Sequence, residues 1–121
     1  MTQYFETSNI NSASTVGAQQ VVICEWPLYE NCGAQITGRA SVRQNSTTAG
    51  SFMVNISAVR GTGVTTIRSV NVSSNIPALG WLGASLTVGV NNEFVQLIAN
   101  GALLANLDWV GHMDIIGEFD E

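Results

Sequence analysis

His112 is the only histidine of the chain, and it stands four residues after Asp108 and two before Asp114, a spacing that puts all three on one face of an extended strand. A histidine oriented by a carboxylate is half of a hydrolytic triad, and a serine from another strand would complete it. No nucleophile elbow and no second basic partner accompany the pair, so ordinary surface pairing is what it predicts. Asp108, Asp114, Glu118, Asp120 and Glu121 crowd the C-terminal end with the oxygen ligands calcium prefers, but no stretch has a calcium-loop spacing. A solvated acidic face is the expectation. Cys24 and Cys32 flank a turn containing Pro27, and with one histidine they match no compact four-ligand zinc pattern. The N-terminus lacks the basic region and apolar core of an export signal, so both thiols are expected to be reduced.

Trp26, Trp81 and Tyr29 have the chemistry of a sugar-stacking platform, with Trp81, between Gly80 and Leu82, the best placed of them. Tryptophan in a small all-β domain is more often core. Gly61-Thr62-Gly63 is no phosphate loop, since neither a lysine nor a following helix accompanies it. The sequons at Asn45, Asn55 and Asn71 have no meaning without export. The sequence therefore predicts no catalytic residue, no metal and no cofactor, and a protein that is not an enzyme.

The elements that carry these residues follow from composition and pattern. At 121 residues the chain can bury one real core. Charged residues make up only 11%, against a norm of roughly 25%. The four basic ones are Arg39, Arg43, Arg60 and Arg68, there is no lysine, and the net charge is −5. Such a chain lacks the basic footprint of a nucleic-acid binder, and no apolar run is long enough for a membrane helix. Lysine is a common guard of exposed sheet edges, so its absence predicts apolar surface covered by partner subunits.

Residues 1–19, rich in Ser, Thr, Asn and Gln, read as an extended N-terminal arm with Tyr4, Phe5 and Ile10 as anchors for a neighbour. From residue 20 the text turns β-branched. Val21 to Trp26 reads as a first strand ended by Pro27. Ile36, Gly38, Ala40 and Val42 then alternate against Thr37, Arg39, Ser41 and Arg43, and Phe52, Val54, Ile56 and Ala58 repeat the pattern. Residues 64–72 form a further strand with Val70 and Val72 inward and Ile67 out of phase, the mark of a bulge. Ala84, Leu86, Val88 and Val90 alternate again, Asn91-Asn92 signals a hairpin, and Asn100-Gly101 a second turn. In the closing strand, residues 106–118, Trp109, Met113 and Ile115 face the core, while Val110 and Ile116 put apolar surface on the other face. Seven or eight short strands and no helical period predict an all-β, antiparallel two-sheet β-sandwich, jelly-roll-like, over residues 20–121, with an OB-like barrel as the alternative. Trp26, Phe52, Trp81, Phe94 and Trp109 are its expected larger core residues.

Cys24-Glu25-Trp26-Pro27-Leu28, the alternation from Gln35 to Arg43, the turn Val59-Arg60-Gly61-Thr62-Gly63, Asn91-Asn92, and Leu107-Asp108-Trp109-Val110-Gly111 form a familiar series. Together they resemble a small β-sandwich module found in virions of tailed bacteriophages. The resemblance spans about residues 20–118. It implies a structural protein of the virion, assembled in the host cytoplasm: a capsid decoration or cement protein acting as a homotrimer on the major capsid protein or another virion protein. The alternative is a tail-fibre or receptor- and carbohydrate-binding module. The partner-binding residues expected are Tyr4, Phe5, Ile10, Arg39, Arg43, Val110 and Ile116.

Overall fold

The computed structural model describes residues 1–77, 81 and 83–121. Among these residues eight strands follow in order: β1 (Thr2–Val16), β2 (Gln20–Pro27), β3 (Cys32–Arg43), β4 (Ala49–Arg60), β5 (Thr66–Asn75), β6 (Ser85–Asn91), β7 (Phe94–Asn100) and β8 (Asn106–Asp120). They make two antiparallel sheets, one ordered β1-β8-β3-β4-β5 and the other β2-β7-β6. The fold is the all-β two-sheet sandwich that the alternation predicts. Its jelly-roll-like character lies in the nesting of distant strands, with β8 between β1 and β3 and β2 beside β7.

The alternating residues of β3 and β4 explain why the sheet has a core side. Ile36 pairs with Ile56, Ala40 with Phe52 and Gly38 with Val54, and all six are buried. Glycines make sockets for the opposite sheet. A Cβ on Gly38 would sit 2.9 Å from Leu97 of β7, and one on Gly111 would sit 2.8 Å from Ile23 of β2. Ile23 reaches Gly111 because the register of β2 slips between Val22 and Cys24, which turns two consecutive residues inward. Trp109 is fully buried, stacks on Phe52 with centroids 5.6 Å apart, and donates its indole N–H to Thr15 Oγ1 at 3.0 Å. Phe52 and Trp81 are core as expected, whereas Trp26, in β2, and Phe94, at the start of β7, are only half-buried.

Residues 1–19, read from the sequence as an arm, are extended but do not stand off the sandwich. Residues 2–16 are β1, paired with β8 from Thr2↔Asp120 to Val16↔Asn106. The sequence conceals this strand because its inward positions are largely Gln3, Thr7, Asn9 and Asn11 rather than apolar residues. They face the corner where β2 crosses rather than the core, and there polar groups find partners: Asn9 Nδ2 donates to the Glu25 carbonyl at 2.8 Å. In β5 the register slips opposite Ser57 and Ala58, so the bulge expected around Ile67 is present.

Candidate docking face of the larger sheet

The outward residues of the five-stranded sheet stand in rows set by the strand register. One row runs Ile10, His112, Arg39, Met53, Ser73 across all five strands, and its neighbours run Ser12, Val110, Ser41, Ser51, Asn75 and Ser8, Asp114, Thr37, Asn55, Asn71. Beyond these lie Glu6, Ile116, Gln35, Ser57, Ser69, and then Tyr4, Glu118, Gly33, Val59, Thr66. Six of the seven residues singled out from sequence, namely Tyr4, Ile10, Arg39, Arg43, Val110 and Ile116, therefore share this one face. Antiparallel pairing forces the result, because directly opposed residues point to the same side.

Large exposed apolar side chains stand among the polar and charged residues of this face. Tyr4, Ile10, Val110 and Ile116 are 79%, 67%, 45% and 53% exposed, although β8, which carries the last two, is hydrogen-bonded on both edges. Met53, 43% exposed, belongs to the same surface. It was legible as the outward residue between Phe52 and Val54, but a single Met among polar neighbours draws no notice. Gly33 leaves the floor of a hollow of about 550 Å³ walled by Tyr4, Gln35, Val59, Ile116 and Glu118. A Cβ at Gly33 would meet nothing within 4 Å. Smaller hollows of about 390 and 320 Å³ lie farther along β3, β4 and β5.

Phe5 is the exception. It points to the opposite side, where it stacks on Trp26 at 5.4 Å, meets Tyr29 edge-on at 5.1 Å and lies 6.0 Å from Phe119. Its anchoring role is met within its own chain: the four rings fasten β1 to β2 and β8, so Phe5 is not offered to a neighbour. Gly117, opposite Phe5, makes the room, since a Cβ there would lie 2.9 Å from the ring.

The charged groups pair across neighbouring strands. Arg39 donates to Asp114, His112 Nε2 lies 3.4 Å from the other oxygen of Asp114, and His112 Nδ1 is 3.5 Å from Arg39. Arg39 and Asp114 are 51% and 43% exposed, so this pair contributes at most about 1 kcal/mol. Asp108 accepts from Ser14 Oγ at 2.7 Å and Asp120 from Thr2 Oγ1 at 2.9 Å, each latching β8 to β1. His112 is thus engaged by Asp114 and Arg39 instead of a serine. Among the described residues no three His, Cys, Asp or Glu side chains stand close enough to hold a metal ion. Cys24 and Cys32 are free and buried, and burial pushes both thiols above the ordinary value of 9.0.

Trp81, the leading residue of a sugar platform, is 1% exposed and donates its indole N–H to Gln44 Oε1 at 2.9 Å. Its ring fills the space left by Gly50, where a Cβ would come within 2.8 Å. It offers no stacking face. Gly80 and Leu82, its flanking residues in the sequence reading, lie outside the described residues.

No known family model matches the chain, and neither does any curated protein.

Proposed function

We propose that the protein is a non-enzymatic structural protein of a bacteriophage virion, a capsid decoration or cement subunit that docks through the outer face of its larger sheet. The observation that carries this reading is the placement of Tyr4, Ile10, Val110 and Ile116, all exposed, on one face that has no lysine. Apolar surface of this kind stabilises an assembly when covered, at about 25 cal/mol per Å² removed from water. The capsid partner and the homotrimeric state come from the resemblance in the sequence. Arg39 is already paired with Asp114, so Arg43 is the basic group of this face that suits an acidic counterpart. The carbohydrate-binding alternative loses its main support with the burial of Trp81.

The test is addition of purified protein to empty shells of the parent phage, scored by cosedimentation and particle reconstruction. Saturable binding is expected, with strong loss for Val110→Lys combined with Ile116→Lys, both solvent-facing substitutions. No binding, or binding untouched by the double variant, would refute the proposal. Gly33→Leu, whose Cβ enters the hollow with nothing within 4 Å of it, should weaken binding more mildly.

A further inference from the structure

We infer that β5 is a self-pairing edge, joining the β5 of a second copy antiparallel about a two-fold axis at Asn71, so that two five-stranded sheets become one of ten. β5 is the terminal strand of its sheet, and among the described residues no strand pairs with its other side. It is ten residues long and contains no proline, lysine or carboxylate. Its single charge, Arg68, sits in the bulge at its beginning. Edge strands that stay single are usually short or carry inward charges; this one has neither guard along residues 69–75.

The register follows from the side chains. Val70 and Val72 lie on the core side, paired with the buried Ile56 and Val54, yet they are 45% and 43% exposed because the smaller sheet has only three strands to cover five. With the axis at Asn71, Val70 of each copy lies opposite Val72 of the other, and Ser69 lies opposite Ser73. All four valines then share one side, and the two docking faces remain coplanar. An axis at Val72 would leave each Val70 facing a serine, and any one-residue slip would set valine against a polar residue. Arg68 falls outside the 69–73 window, so like charges do not meet at its centre. The occupant that matches this edge in both hydrogen bonding and side-chain pattern is therefore the same edge on a second copy. This inference is independent of the virion reading, since it concerns only contacts between copies.

Sedimentation velocity from roughly 1 µM to 1 mM, the span of weak protein affinities, should show a monomer–dimer equilibrium. Val72→Lys, at an exposed edge where the fold tolerates it, should weaken the dimer at least about tenfold while leaving the circular dichroism unchanged. The axis gives a sharper readout. Opposed residues of antiparallel strands lie within disulfide span, so Asn71→Cys should cross-link to itself under mild oxidation. Ser69→Cys alone should not, and Ser69→Cys mixed with Ser73→Cys should. A monomer throughout, a trimer in which Asn71→Cys stays unlinked, or a dimer indifferent to Val72→Lys would each overturn the inference. The trimer result would leave the capsid proposal standing. A cross-linked dimer that ignores shells would sustain the inference and remove the proposal.

Discussion

β1 and β5 are the two edges of the same sheet, both are written largely in Ser, Asn and Thr with scattered apolar residues, and they end in opposite ways. On the β1 flank the corner is closed. β2 crosses beneath, Asn9 bonds the Glu25 carbonyl, the Cys24 thiol donates to the Asn9 carbonyl at 3.5 Å, and the rings of Phe5, Trp26, Tyr29 and Phe119 lock the end. Thr15 at its far end is completely buried against Trp109. On the β5 flank, Thr65 just before the strand bonds the Asn92 and Glu93 carbonyls at one end, and the valines beyond stay wet. Composition does not decide the difference. Sheet width does: three strands face five, so one flank of the larger sheet is left over.

The comparison can be broken by experiment. Trp109→Ala should destabilise by about 3–5 kcal/mol in urea unfolding, because it empties the core beneath β1. Val72→Ala on the open flank should cost well under 1 kcal/mol in the monomer. Equal losses would mean the flanks do not differ. Gly101→Ala comes next, at about 1–3 kcal/mol, since a Cβ there would collide with the Gly17 carbonyl, which is rigid backbone at the turn between β1 and β2. Thr15→Val should cost about 1–3 kcal/mol by stranding the indole N–H of Trp109 in a dry site, and retention of full stability would show that β1 is not held there.

The smallest effect is on pH. Both thiols are raised by burial, so the folded state holds their protons more tightly than the unfolded chain. The stability they contribute is complete below the unfolded thiol value and declines as pH rises through the folded one. Unfolding midpoints should therefore fall above about pH 9, and less steeply in a Cys24→Ala, Cys32→Ala variant. A midpoint unchanged there would mean that the thiols titrate as they do in the unfolded chain, and one that rises would mean that the folded state favours the thiolates.

Much of this was legible from residues alone where one face of a strand is apolar. Ile36, Ala40 and Val42 with Phe52, Val54 and Ile56 identify two core strands without ambiguity, and Ile67 betrays its bulge. Val110 and Ile116 were readable as outward apolar residues. β1 was not readable as a strand of the sheet, since Asn9 and Thr7 face inward only because a polar corner receives them. Nor was the inward turn of Phe5, whose neighbour Tyr4 is equally aromatic: a slip of one residue exchanges the two faces, and only pairing with Gly117 chooses.

The sequence by itself determined that the chain is all-β, which residues of β3, β4 and β8 fill the core, and that it lacks lysine to guard its edges. These are local matters, settled by a period of two and by side-chain chemistry. Tertiary structure alone decided that β1 is an edge strand rather than an arm, that Tyr4, Ile10, Val110 and Ile116 come together from the two ends of the chain, and that β5 overhangs a narrower sheet. Those outcomes depend on which strands pair and how many each sheet holds. Pairing between strands about a hundred residues apart leaves no periodic trace in either one.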